Sequence, residues 1–165
     1  DLAVVPAQRR ARLGGNAPMI RAATPADLPE LVAMVQALAA HHGDTSQISE
    51  ATLARDLFGP QPWIRALVVV GETGLTGYAA LPQLARLQYG QRGLDIHHLF
   101  VVPHQRGTGL GKALIAAVLD HARAQGCAYV TVSALETNTA ARAFYAAQGF
   151  HDSPVKGVRF ARQIA

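Results

Sequence analysis

"HHLFVVPHQRGTGLGKALIAA", residues 97–117, runs from an apolar β-branched stretch through a proline and a glycine-rich loop into an apolar helical pattern. The order predicts strand, loop and helix N-terminus. Gly107, Gly109 and Gly111 alternate between Arg106 and Lys112. Glycines at such a junction let the backbone approach an anion. The free N–H groups and partial positive charge of the helix N-terminus then suit a pyrophosphate. A plain close-packed turn accounts for the glycines but not for the two flanking cations.

Three nucleotide motifs compete for this loop. A P-loop needs a glycine five residues before its Gly-Lys pair and a Ser or Thr after it; here those positions hold Arg106 and Ala113. The dinucleotide fingerprint needs a glycine where Lys112 stands. The pattern that fits is R-x-x-G-x-G, carried by Arg106, Gly109 and Gly111.

Outward from the loop, Leu110, Leu114, Val118 and Ala122 share a helix face, and Gly126 supplies a stop. "CAYVTVSA" (127–134) predicts a strand, "TNTAARAFYAAQGF" (137–150) a short helix closed by Gly149, and "VRFARQI" (158–164) a final strand. Toward the N-terminus, "LDIHHLFVV" (94–102) reads as one strand and "LPQLARLQYGQRG" (81–93) as a connector of undefined form. "ALVVVGETGLTGYAAL" (66–81) predicts a hairpin. Thr24-Pro25-Ala26-Asp27 starts a helix that runs to about His41, and Ser49 caps a second over 49–58. A short strand, "MIRAA" (19–23), comes first. These elements predict a mixed α/β sheet with the 94–125 strand–loop–helix at its centre.

Bulk properties narrow the class. The 165 residues suit one domain, and 50% hydrophobic with 16% charged residues is globular, not disordered. The longest apolar run, residues 66–70, falls far short of the roughly 20 residues of a membrane span. A single cysteine, Cys127, leaves no internal disulfide and no cysteine metal cluster, so a cytoplasmic location is expected. Of the net charge of +4, two charges come from Arg9, Arg10 and Arg12 against Asp1. The remaining cations are scattered without interleaved aromatics, which argues against nucleic acid. Residues 1–18 lack the apolar stretch of a signal peptide, and Met19 reads as a natural start. Residues 1–18 are expected to be a tail or extension, and 19–165 the domain.

With the loop and the later segment together, the chain resembles the GNAT superfamily of acyl-CoA-dependent N-acetyltransferases. Its fingerprint [Q/R]-x-x-G-x-[G/A] follows a strand. The segment 138–150 is similar to its N-x-x-A-x-x-F-Y-x-x-x-G-F pattern, here Asn138, Ala141, Phe144, Tyr145, Gly149 and Phe150. The resemblance extends over about residues 19–165, and the layout is most similar to the diamine (spermidine/spermine-type) acetyltransferases. It implies a mixed, mostly antiparallel central sheet with a splayed parallel strand pair, flanked by helices.

The resemblance also implies a site. Leu99, Phe100 and Val101 would pair with the pantetheine arm of acetyl-CoA through main-chain groups, and one N–H there would polarise the thioester carbonyl. Arg106, Gly107, Thr108, Gly109, Leu110, Gly111 and Lys112 would hold the pyrophosphate, and Asn138 would touch the cofactor. Tyr145 matches the family's acid for the departing thiolate. A cysteine-like thiol titrates near about 8.5 and a tyrosine near about 10, so that transfer is feasible at close range. A core tyrosine on a short helix remains the alternative.

The acceptor side departs from the diamine pattern. Where those enzymes carry Glu-Asp, this chain carries His97-His98. An alkylamine titrates near about 10.4 and must lose a proton before attack. A neutral imidazole can accept it but lacks the fixed negative charge that attracts a polycation. In a regular strand His97 and His98 point to opposite faces, and Asp95 shares a face with His97. His97 is therefore the candidate base or water-positioner, oriented by Asp95; a structural histidine stays open. Opposed faces also speak against a shared metal, and none is expected. The loop 41–47 corresponds to the family's acceptor border, so His41, His42 and Asp44 are candidate substrate contacts, and His98 is a further one.

The expected activity is transfer of an acetyl group from acetyl-CoA to a small-molecule primary amine, directly in a ternary complex. Cys127 is poorly placed as a nucleophile. A protein or peptide acceptor, or a catalytically silent acyl-CoA-binding domain, are the alternatives. No nucleic-acid or membrane partner is expected, and relatives commonly form homodimers.

Overall fold

The computed structural model describes residues 17–164, and their contacts divide at Ser133/Ala134 into two units. The first holds β1 (Met19–Ala22), α1 (Leu28–His41), α2 (Glu50–Phe58), β2 (Ile64–Val70), β3 (Leu75–Arg86), β4 (Gln91–Ile96), β5 (His98–Val101), α3 (Leu110–Ala124) and β6 (Tyr129–Val132). The second holds α4 (Thr139–Ala147). The tail expected over residues 1–18 lies outside the described residues except for Ala17 and Pro18.

Strand order is β1-β2-β3-β4-β6, with β5 also on β3. Every pairing is antiparallel except β4 with β6. This is the expected mixed sheet with one parallel pair. The hydrophobic pattern explains its position between helices. Val68, Tyr78 and Phe100 pack with Leu31, Met34 and Leu38 of α1 and Leu57 of α2. Strand alternation turns Leu67 and Val69 the other way, and they are buried as well. α3 packs on β2, β3, β5 and β6 and buries Leu114, Ile115, Val118 and Ala122.

Local signals act where expected. Asp27, a buried carboxylate, accepts from both terminal nitrogens of Arg21 at 2.6 and 2.9 Å and from the Thr24 amide at 2.7 Å. Ser49 Oγ accepts from the Thr52 amide and caps α2.

Three expectations are corrected. The connector 81–93 is the end of β3, a short 3-10 turn at Leu87–Tyr89 with left-handed Gly90, and the start of β4. The single strand over 94–102 is two strands with His97 between them. Residues 158–164 form no strand. Their composition favours extended chain, but a strand needs a ladder partner. Val158, Phe160 and Ile164 stand exposed instead.

Candidate active site

The break at His97 follows from the register. β3 pairs with β5 at Ala80↔His98 and with β4 at Gln83↔Leu94. Between these points Leu81 and Pro82 stand opposite Asp95, Ile96 and His97, so the second chain carries one extra residue. That is a β-bulge, and Pro82 has no N–H to give the ladder there. The His97 amide donates to Ala80 O at 2.9 Å.

The bulge overturns the opposite-faces expectation for the histidine pair. The rings of His97 and His98 stack, centroids 4.3 Å apart and planes 15° from parallel. His98 Nδ1 hydrogen-bonds the Tyr78 hydroxyl at 3.0 Å. Burial, with His97 and His42 nearby, lowers the His98 imidazole to about 4, so it is neutral at physiological pH. Burial raises the Tyr78 phenol. Asp95 is engaged elsewhere: its Oδ1 accepts from Thr131 Oγ1 at 2.7 Å across the parallel β4–β6 pair, and no hydrogen bond among the described residues joins it to His97.

His41 and His42 end α1 with ring centroids 5.7 Å apart. The Asp44 amide donates to Ala39 O at 2.8 Å, which folds the loop back on the helix end. All three side chains are exposed.

His97 is exposed and lines a cavity of about 590 Å³ with Arg55, Asp56, Trp63, Ile64 and Pro82. These five residues escaped the sequence reading. So did Tyr78, which sits in an apolar run and reads as ordinary core.

Beyond the bulge, β5 bonds only to β3. The parallel β4–β6 register ends at Ile96↔Val132 and does not continue along β5. Among the described residues no strand takes its second edge, so apart from Val101 O, which Arg106 occupies, its outward main-chain groups have no ladder partner. Leu99 and Val101 are half-buried, and Phe100 points into the core. The Val102 amide donates to Thr76 O, so alternate residues bond to β3: the Phe100 main chain faces Tyr78, and the outward main-chain groups are those of Leu99 and Val101.

The glycine loop follows directly. Gly107 and Gly109 have φ of +75° and +89°, the left-handed region where a Cβ is disfavoured. The first α3 bond of this turn is Ala113 N–H to Gly109 O, which leaves the Leu110, Gly111 and Lys112 amides without helical acceptors. Arg106 Nε donates to Val101 O at 2.9 Å, and its guanidinium lies 5.6 Å from the Phe100 ring centroid. Thr108 Oγ1 donates to Gln105 O at 2.6 Å. Lys112 is exposed. The array offers backbone donors and two cations, the chemistry that a pyrophosphate requires.

In the second unit, Asn138 Oδ1 accepts from the Ala141 amide at 3.1 Å and caps α4, so its Nδ2 is the atom left for a ligand. Tyr145 packs edge-on between Phe144 and Phe150, with centroids 5.4 and 5.9 Å away. Burial raises its phenol above the usual range.

Comparison with known proteins bears on the family. The family model described as "Acetyltransferase (GNAT) family" matches residues 31–150. The L-methionine sulfoximine/L-methionine sulfone acetyltransferase of Pseudomonas aeruginosa is 35% identical, over 88% of this chain and 88% of its own. The thialysine N-epsilon-acetyltransferase of Bos taurus is 28% identical, over 81% of this chain and 84% of its own. A solved aminoglycoside acetyltransferase from an uncultured soil metagenomic sample, in complex with sisomicin, has the same fold. Its TM-score is 0.76 at 19% identity, over 88% of this chain and 97% of that one.

Proposed function

The chain belongs to the GNAT acetyltransferase family, and we propose that its 19–165 domain transfers the acetyl group of acetyl-CoA directly to a primary amine of a small molecule. The observation that carries this is the sequence of features after Pro82. A bulge presents His97, an unpaired strand edge follows at Leu99–Val101, and the glycine loop opens α3. Relatives named for thialysine and for methionine sulfoximine and sulfone support a small acceptor.

In the reaction, His97 takes the proton of the acceptor ammonium, directly or through water. The freed amine attacks the thioester carbon and a C–N bond forms; as the C–S bond breaks, the nitrogen sheds its second proton to solvent and a neutral amide is left. A main-chain N–H of β5 stabilises the oxyanion between these events. Tyr145 gives its proton to the departing thiolate, and its burial keeps that proton in place beforehand. Residues Arg106–Lys112 hold the pyrophosphate, with Arg106 braced on Val101 O. Neutral, half-buried His98 is a poor base; it supports His97 by stacking. His41, His42 and Asp44 border the acceptor.

Cys127 supports direct transfer. It lies just after α3 and lines a second cavity with Arg65, Arg92 and His121, a set that does not include His97. Initial rates with acetyl-CoA and amine varied together test this point. Intersecting double-reciprocal lines are expected; parallel lines would mean an acyl-enzyme and overturn direct transfer.

A further inference from the structure

The cavity beside His97 has a composition that selects among amines. Trp63, Ile64 and Pro82 give it apolar walls. Ile64 and Pro82 are cross-strand partners, so the proline that makes the bulge also builds the wall. The Trp63 amide donates to Asp56 O at 2.9 Å, which ties the indole's backbone to α2. The indole is nonetheless 78% exposed, a large apolar surface that a ligand would cover.

The two charged residues in the lining are closed on each other. Arg55 Nε and Nη2 donate to Asp56 Oδ1 and Oδ2 at 2.8 and 3.0 Å. Each carboxylate oxygen thus already holds a guanidinium N–H, and the pair offers no net charge. Among the described residues no other carboxylate lines the cavity to receive a second ammonium. Its volume is in the range of small-molecule sites.

We infer that this cavity is the acceptor site and that it selects a monoamine with an uncharged, apolar body over a polyamine. The role of His97 in it rests on the transferase reading above; the ligand chemistry rests on the lining alone. The amine meets the exposed imidazole while the body lies along Trp63, Ile64 and Pro82.

Trp63 is the only tryptophan of the chain, so its emission reports on this cavity without any need for turnover. The full chain is titrated with cyclohexylmethylamine and with spermidine, with and without coenzyme A. In parallel, thiol release from acetyl-CoA is followed for both amines in wild type, Trp63→Ala and Trp63→Phe. A saturable emission change with cyclohexylmethylamine and none with spermidine is expected. Trp63→Ala is expected to raise KM for the apolar amine about tenfold, with kcat little changed, in line with the loss of one apolar contact surface. Trp63→Phe should recover most of it.

Preference for spermidine in either assay overturns the selectivity. Turnover of the apolar amine with unchanged emission and unchanged KM in Trp63→Ala moves the acceptor elsewhere and leaves the transferase reading standing. Saturable emission without thiol release for any amine keeps the ligand site and overturns the transferase reading.

Discussion

Tyr78 Oη and His98 Nδ1 lie 3.0 Å apart as diagonal neighbours across β3 and β5. The contact satisfies two polar groups at the edge of the core and holds β5 to β3 beside the bulge. Tyr78→Phe keeps the ring and leaves His98 Nδ1 without its partner. It is expected to lower stability by about 1–2 kcal/mol, read from the urea midpoint. A midpoint equal to wild type would show that the bond contributes no net stability.

The same histidine predicts a pH dependence. Its folded-state value is lowered from 6.5 to about 4 by burial and by His97 and His42, and the Tyr78 hydroxyl faces it from β3. Between those values the unfolded chain binds the proton better, so stability rises with pH there. The contribution is complete above about pH 6.5 and is lost progressively as pH falls toward 4. His98→Asn should flatten this part of the stability profile. Asp27, lowered by Arg21, acts in a separate and more acidic window, below its usual 3.8. An unchanged slope between pH 6.5 and 4 in His98→Asn would contradict the assignment.

Gly109→Ala forces a Cβ into φ +89° at the cap of α3. The strain is about 1–2 kcal/mol, and the displaced amides should weaken acetyl-CoA more than the amine. An increase in KM for acetyl-CoA of roughly tenfold is the expected scale for about 1.4 kcal/mol of lost binding. Gly126→Ala, at φ +72° beyond the far end of α3, is the control. It should lose comparable stability while KM stays unchanged.

Tyr145→Phe preserves the packing against Phe144 and Phe150 and removes the proton. Turnover is expected to fall by about 10²-fold or more, the usual scale for a general acid. The shift in melting temperature on adding acetyl-CoA should persist. Wild-type turnover in this variant would remove Tyr145 from the mechanism.

Helices and caps were legible in the sequence because their signals are local. Leu28 to His41 follows from spacing, Ser49 from its capping position, and the glycine loop from alternation between Arg106 and Lys112. The break at His97 was not, because its cause lies on another strand. A proline within a strand that pairs on both sides requires an irregularity, and Pro82 carried that signal. Its effect, however, appears opposite it, fifteen positions later at His97. The stacking of His97 on His98 and the release of Asp95 to Thr131 follow from that shift of register. Trp63, Arg55 and Asp56 escaped notice because each is ordinary in its own segment, and only the sheet brings them to His97. The strand expected at 158–164 fails for the complementary reason: propensity without a partner does not make a ladder.

Mass-spectrometric detection of an N-acetylated amine, with matching thiol release from acetyl-CoA, tests the central claim most directly. The panel should span apolar monoamines, amino acids, polyamines, aminoglycosides and short peptides. The account predicts stoichiometric product and thiol with a small monoamine, and a rate that falls steeply in His97→Ala. Acetyl-CoA that raises the melting temperature while no amine is acetylated would contradict it and leave a silent acyl-CoA-binding domain.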